Sequence, residues 1–366
     1  MRILILTKRQ YMSKDLLNDH FGRFREIPLA LGQMGYKVQG LCLSYTTKNE
    51  GYIKDGPVLW KSINATPLKF PGLLRFIIEA QKHAKKADVI WACSDSFYGV
   101  IGCALAKFNN IPVVFDIYDN FGEFLVAKLP IAKQLYHWAI RNSTAVTCLS
   151  KAFAKYINDT FGTDIKTHPI EFAVKKNLFK PLDKIECRKR SGLPVNKLII
   201  GTAGALYKVR DTHLLIEAFK NLKKKYPNLH LALAGPLDPE IIIPRDSRIH
   251  YKGILSFEDV PVFINALDIA VVCYADDDYG KYCFPQKTRE FMACDVPLIA
   301  AGVGGLQDLL NDHKKWLYLP GSTKSLADKL EERFNDRKTG YTSCPTWPDL
   351  ANQLEKIMLG IIHEKG

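Results

Sequence analysis

Apolar and polar positions alternate in blocks along the chain. Arg2–Thr7 is a short apolar run that ends at a polar loop, Lys8–Asp19. Apolar residues then recur at helical spacing, at Phe21, Phe24, Ile27, Leu29, Leu31 and Met34, and stop at Gly35. Lys37–Leu43 is apolar again, so the chain opens as strand, loop, helix, strand, the start of a parallel sheet covered by helices. The same reading predicts helices over Leu73–Lys86, Gly99–Phe108, Ile131–Arg141 and Ser150–Phe161, with Ser150 as an N-cap. Strands are predicted over Asp88–Ala92, Pro112–Asp116 and Ala145–Leu149. The rhythm breaks over Thr163–Asn196, which holds Pro169, Pro181 and Pro194 and reads as an inter-domain connection. It restarts with strands at Leu198–Thr202, Leu229–Gly235, Ile249–Lys252, Ile269–Cys273 and Pro297–Ala300. Helices at Asp211–Tyr226, Asp259–Ala266, Lys287–Cys294, Leu306–Asn311 and Ser322–Asn335 lie between or after them, with a short extended piece at Leu317–Leu319. A separate amphipathic helix, Trp347–Ile362, closes the chain. Two successive α/β units imply two doubly wound domains facing one another, with ligands expected at the carboxyl ends of the strands, in the cleft.

Composition narrows the classes. The chain has 366 residues, 47% hydrophobic and 24% charged, enough apolar material for two packed cores. No run of ~18 apolar residues is present, which speaks against a membrane-spanning helix. The N-terminal MRILILTKRQ has too short an apolar run for a signal peptide. Nine cysteines show no CxxC pair and no zinc spacing, and read as buried, reduced thiols of a cytoplasmic protein. Lys+Arg 51 against Asp+Glu 38 leaves a charge of +13, which favours anionic partners such as acidic lipid or phosphorylated small molecules. No nucleic-acid-binding module appears, so nucleic acid is not expected as a partner. HExxH, GxSxG and P-loop patterns are missing, and no GxGxxG follows the first strand. No metal site is expected.

Two segments carry candidate chemistry. In Gly201–Leu214 a strand runs into a glycine turn at Gly204, then Lys208 and Arg210, then a helix. Backbone N–H groups and two cations at such a turn suit a diphosphate; the alternative is a turn with two solvated cations. In Tyr282–Ala301, Lys287 and Glu290 stand three apart on one helix face after Phe284 and Pro285. A carboxylate there could accept from two vicinal ribose hydroxyls; the alternative is a surface ion pair.

Together these segments resemble the retaining family-4 glycosyltransferases of the GT-B fold. The family pattern Gly-Arg-Leu-x-x-x-Lys-Gly is matched by Gly204-Ala205-Leu206-Tyr207-Lys208-Val209-Arg210-Asp211, with Arg210 in the lysine position and Ala205 replacing the arginine, a charge that Lys208 could restore. Glu290 and Phe291–Pro297 resemble the second glutamate of the Glu-x7-Glu motif and the turn after it. The first glutamate falls on Tyr282, Phe284 fits the stretch that follows it, and Gly304-Gly305 fits the trailing glycine pair. Pro28–Val38 and Ile111–Asp119 resemble N-domain segments, with Tyr118 where the family has histidine and Asp119 retained. Trp347 and the last helix resemble the segment that returns to the N-domain.

The resemblance implies an N-terminal acceptor-side Rossmann-like domain over 1–174 plus 346–366, and a nucleotide-sugar donor domain over 175–345. It implies a retaining, metal-independent, cofactor-free transfer from a nucleotide-diphosphate sugar, UDP-sugar first and GDP-mannose next, to a glycan or lipid-linked acceptor. Lys208, Arg210 and Asp119 are the implied catalytic residues. Gly204, Lys208, Arg210, Lys287, Glu290, Tyr282, Phe284 and Pro285 would hold the donor, and Gly22, Tyr118, Asp119 and Glu123 the acceptor side. For Gly22 a plain helix-start glycine is the alternative. The other readings of the chain are a GT-B binding protein without turnover and a sugar-nucleotide epimerase of the same fold. Asp276-Asp277-Asp278 reads as a solvated loop, with acceptor contact as the alternative. Leu68–Lys86 is amphipathic with a basic end. A sheet-covering helix with one polar face is the preferred reading, and contact with an anionic membrane on the inner face is compatible with it.

Overall fold

The computed structural model describes the chain except for residues 12–13, 21, 67–68, 120–129, 163–165 and 365–366. It divides into two compact units, Met1–Phe172 with Trp347–Gly366, and Ala173–Thr346. The sequence places these divisions at 174/175 and 345/346. Val174 already belongs to the core of the second unit.

In unit 1 the strands are β1 (Arg2–Lys8), β2 (Gln10–Tyr11), β3 (Lys14–Asp15), β4 (Lys37–Ser44), β5 (Gly51–Asp55), β6 (Val58–Asn64), β7 (Val89–Cys93), β8 (Val113–Ile117), β9 (Ala145–Cys148) and β10 (Thr167–Pro169). Eight of them form one sheet in the order β10-β9-β8-β7-β1-β4-β6-β5, while β2 and β3 pair separately. Ile3 of β1 sits opposite Val38 on one side and Val89 on the other, both parallel. The helices are α1 (Arg23–Gln33), α2 (Lys69–Ala84), α3 (Ser96–Asn109), α4 (Pro130–Asn142) and α5 (Lys151–Phe161). Ser150 caps α5 as expected, its hydroxyl accepting from the Phe153 N–H at 3.1 Å. The C-terminal helix, Trp347–His363, packs on α1, where Tyr36 donates to Glu355.

The hairpin of β5 and β6 has no counterpart among the expected elements. β5 is an antiparallel edge strand. Its residues alternate between exposed and part-buried, so it lacks the apolar run of a central strand. In β6 the fully buried Trp60 lies flat against Gly40, where any side chain would strike the indole ring.

Unit 2 holds β11 (Leu198–Ala203), β12 (Leu229–Ala234), β13 (Ile249–Tyr251), β14 (Ile269–Val272), β15 (Leu298–Ala301) and β16 (Leu317–Tyr318). They form one sheet ordered β13-β12-β11-β14-β15-β16, with every pairing parallel. Its helices are α6 (Lys184–Arg190), α7 (Thr212–Leu222), α8 (Val260–Asn265), α9 (Gln286–Ala293), α10 (Gly304–Leu309) and α11 (Thr323–Asn335). α6 falls inside the stretch read as a connection. Its buried side consists of Cys187 and Arg188, and Arg188 Nη2 lies 2.5 Å from Asp268 Oδ2. A helix held inward by an ion pair leaves no apolar periodicity to read. All nine cysteines are free thiols, eight buried and Cys283 part-buried. Among the described residues no helix is long and apolar enough to cross a membrane.

Candidate functional site

The carboxyl edge of the unit 2 sheet is where its polar chemistry gathers. β11 ends at Ala203, and Gly204 follows with φ +105°. The next strand, β12, runs into Gly235 with φ +130°, and a side chain there would strike the Gly204 carbonyl. Both positions therefore need glycine: the backbone conformation disfavours a Cβ, and the two turns touch. The chain then makes a 3₁₀ turn over Lys208–Arg210 before α7 begins. Asp211 joins the two in the left-handed region at φ +53°, at the position where the family pattern has glycine. Asp295 does the same at φ +54° after α9. Aspartate is among the few non-glycine residues that tolerate this conformation.

The 3₁₀ turn separates the two cations that the sequence pairs. At three residues per turn, positions two apart point in different directions. Lys208 faces outward, its ammonium 2.6 Å from Glu240 in an exposed ion pair. Arg210 turns inward. Its Nη2 donates to Tyr279 Oη at 3.2 Å, and the guanidinium lies 5.4 Å from the centre of the Tyr274 ring. Its buried Nε–H has no hydrogen-bond partner, and among the described residues no carboxylate pairs with it. The cation beside Arg210 is instead Lys287, from the first turn of α9. Lys287 Nζ donates to Thr202 Oγ1 on β11 at 3.4 Å. Burial, and then the positive charge of Arg210, push its pKa down to about 8.

Glu290 lies one turn along α9. No ion pair joins it to Lys287, so the surface-pair alternative does not describe this helix. Glu290 Oε1 accepts from Gln286 Nε2 at 3.0 Å. Burial raises its carboxyl to about 7, against the lowering influence of Gln286 and Lys287. Pro285 precedes α9 as its N-cap, Phe284 is buried, and Tyr282 is part-buried in the loop before them. Gly304 allows that loop to close, because any side chain there would meet the Lys281 carbonyl. Asp276, Asp277 and Asp278 are exposed in a turn where Asp277 Oδ1 accepts the Gly280 N–H at 2.7 Å. Asp276 Oδ1 lies 3.9 Å from Lys281 Nζ, an exposed pair in keeping with a solvated loop.

Unit 1 also presents a polar carboxyl edge. Gly22 caps α1 with φ +92°, its carbonyl accepting from the N–H groups of Arg25 and Glu26. It therefore does serve as a helix-start glycine. Tyr118 follows β8 and packs its ring against Phe24 at 5.5 Å, Phe172 at 5.6 Å and Tyr11 at 6.2 Å. Asp119 is part-buried beside it. Glu123 lies outside the described residues. The same edge holds Lys8, whose Nζ lies 3.0 Å from Asp95 Oδ1 and 4.8 Å from the centre of the Tyr11 ring.

Two family models match the chain. Residues 197–336 match the glycosyl transferases group 1 domain, and residues 24–174 match glycosyltransferase family 4. The chain belongs to the family-4-like glycosyltransferases of GT-B type. It is 24% identical to an uncharacterized glycosyltransferase of Methanocaldococcus jannaschii over 307 residues, 80% of each chain. It is 28% identical to a D-inositol 3-phosphate glycosyltransferase of Stackebrandtia nassauensis over 177 residues, 44% of this chain and 40% of that one. It is also 25% identical to a capsular polysaccharide biosynthesis glycosyltransferase of Staphylococcus aureus, over 40% of this chain and 39% of the relative. The fold is similar to that of sucrose-phosphate synthase from Thermosynechococcus elongatus, with TM-score 0.77, 18% identity and 99% of both chains covered. HepE of Anabaena, solved in complex with UDP, superposes with TM-score 0.69 at 20% identity, covering 100% of this chain and 98% of that one.

For this glycosyltransferase the sequence misses Thr202, Tyr279, Lys8 and Asp95 at the two edges. Lys8 ends β1 and Asp95 closely follows the neighbouring β7. The rule that ligands bind at strand carboxyl ends would have selected these positions.

The two shifted pKa values set an expected pH profile. A lysine holds an anion only while protonated, and a carboxylate accepts hydroxyl protons only while ionised. Affinity for a nucleotide-diphosphate sugar should peak between about 7 and about 8 and fall on both sides. Calorimetry across this range checks it, using the sugar conjugate because a terminal phosphate titrates itself near ~6. Lys287→Arg should remove the alkaline limb, since arginine stays charged.

Proposed function

We infer that the protein is a retaining, metal-independent glycosyltransferase that moves a sugar from a nucleotide-diphosphate sugar to a glycan or lipid-linked acceptor. The observation that carries this is the pair Arg210 and Lys287. Two cations lie together at a strand edge, and Arg210 has a buried N–H without a partner and no carboxylate beside it. Buried charge of one sign is costly unless a counter-charge joins it. A diphosphate supplies two negative charges and several acceptor oxygens. Glu290, one helical turn from Lys287, suits the ribose hydroxyls, and Gly204 lets the backbone approach the phosphates. UDP is the favoured nucleotide, with GDP next.

In the reaction the bond from the sugar C1 to the diphosphate oxygen breaks, and the acceptor oxygen bonds to C1 on the same face. Arg210 and Lys287 stabilise the charge that grows on the departing diphosphate. The acceptor proton passes to an oxygen of that leaving group, so no side chain need act as base and no metal or cofactor takes part. Gly22, Tyr118, Asp119 and Glu123 of unit 1 are assigned to the acceptor side, at a cytoplasmic location against the inner membrane face. Lys208 is assigned to the rim of the donor site, where it would exchange Glu240 for phosphate. Tyr282 and Phe284 are assigned to the donor sugar. One observation favours nucleotide binding without turnover: the Tyr118 ring, where the family has histidine, is packed among aromatic neighbours.

The test is a calorimetric and thermal-shift panel of UDP, GDP, ADP, CMP and their sugar conjugates, with and without Mg²⁺. The expected result is selective binding of one nucleotide, indifferent to Mg²⁺, with donor consumption in the presence of acceptor. Binding without consumption selects the second reading. No binding of any nucleotide overturns both.

A further inference from the structure

α2 covers one face of the unit 1 sheet through Gly72, Phe76, Ala80 and Ala84, four residues at a spacing of four that are all buried. The opposite face of such a helix is ordinarily polar. Here Phe70, Leu74 and Ile78 run along its middle, also at a spacing of four, and are 75%, 48% and 47% exposed. This corrects the sequence expectation of a sheet-covering helix with one polar face. The stripe is bordered by cations. Arg75 is held by Glu50 and Lys82 by Glu79. Lys69 at the start of α2, and Lys85 and Lys86 just past its end, are exposed and have no ion-pair partner among the described residues. The side chains of Gln81 and Asn109 hydrogen-bond to each other and dock the end of α3 on this flank. That brings in Lys107 and Phe108, the latter 78% exposed.

We propose that unit 1 docks on an anionic lipid bilayer through this face, with Phe70, Leu74, Ile78 and Phe108 entering the headgroup boundary and Lys69, Lys85, Lys86 and Lys107 meeting the acidic headgroups. Aromatic and aliphatic side chains in a row, rimmed by unpaired lysines, have the make-up of an interfacial helix. A protein partner of the same charge would need a matching apolar groove, whereas a bilayer needs only the stripe and the lysines. The net charge of +13 points the same way. The inference deepens the membrane location proposed above, but binding to lipid needs neither donor nor acceptor. It can therefore fail while sugar transfer survives, and the reverse.

The experiment is flotation of the full chain with vesicles of phosphatidylcholine alone and with vesicles containing an equal share of phosphatidylglycerol. Binding is expected to the anionic vesicles, to weaken with salt, and to be slight on the neutral ones. The variant Phe70→Ser/Leu74→Ser/Ile78→Ser and the variant Lys69→Gln/Lys85→Gln/Lys86→Gln should each lose about tenfold or more in vesicle affinity. Both should keep the wild-type melting temperature and nucleotide affinity, because the altered side chains are exposed and lie outside the donor site. Wild-type failure to float with anionic vesicles overturns the proposal. So does flotation of both variants at the wild-type level. A wild-type dimer that the serine variant turns into a monomer also overturns it, and assigns the stripe to a second copy of the chain.

Discussion

Arg210→Ala is expected to weaken binding of a nucleoside diphosphate by about 2 kcal/mol or more, roughly a thirtyfold rise in Kd. The size follows from the environment. Arg210 carries a permanent charge, sits against Tyr274 and Tyr279, and keeps a buried N–H without a partner. A diphosphate in contact with it would form charge-assisted hydrogen bonds shielded from water, the strong class. Removing Arg210 also changes Lys287, because the neighbouring charge helps to hold that pKa down. The alkaline limb of the pH profile should then move upward. Inorganic diphosphate separates the contributions. Arg210→Ala should weaken both diphosphate and nucleotide, whereas Glu290→Ala should weaken the nucleotide alone, since its assigned contact is the ribose. Unchanged nucleotide affinity in a folded Arg210→Ala chain would remove the phosphate assignment.

Asp116→Ala should destabilise unit 1 by about 3–5 kcal/mol. Arg23 Nη2 and Asp116 Oδ2 lie 2.9 Å apart, and both side chains are fully buried. Arg23 also donates to the Ile170 carbonyl, and Thr147 donates to Asp116. Without Asp116 the guanidinium keeps its charge in an interior that offers no other carboxylate at bonding distance among the described residues. Replacing both partners with apolar residues, as Arg23→Met/Asp116→Leu, should recover most of the loss, because the cost arises from the stranded charge. Urea unfolding of the three chains checks this, with the first transition compared between them. Equal midpoints for wild type and Asp116→Ala would show that the pair carries no such weight. Arg23 follows Gly22 directly, and Asp116 stands two residues before Tyr118. The pair therefore fixes the positions of the two segments assigned to the acceptor, and its loss should also lower transfer activity.

Central strands were readable because both faces of a parallel sheet are covered, so their sequences are continuous apolar runs. β1, β7 and β12 are of this kind. The edge strand β5 and the helix α6 were not readable for the converse reason. One alternates between exposed and part-buried positions, and the other is held inward by Arg188 and Asp268. The segments assigned to the donor were legible as motifs, because glycine turns and a Lys-x-x-Glu spacing are local features. Which of their side chains meet was not legible.

The sequence by itself determined two α/β units, the order of their main strands and helices, and the segments that form the carboxyl edge of unit 2, since hydrophobic periodicity and glycine placement act over a few residues. Only the tertiary structure decided that the charge acting on Lys287 is Arg210 while Lys208 turns outward, and that Glu290 bonds to Gln286 without an ion pair to Lys287. It also decided that the outward face of α2 is apolar. The direction of a side chain depends on the local twist of a turn and on neighbours distant in the chain, and spacing along the sequence carries no record of either.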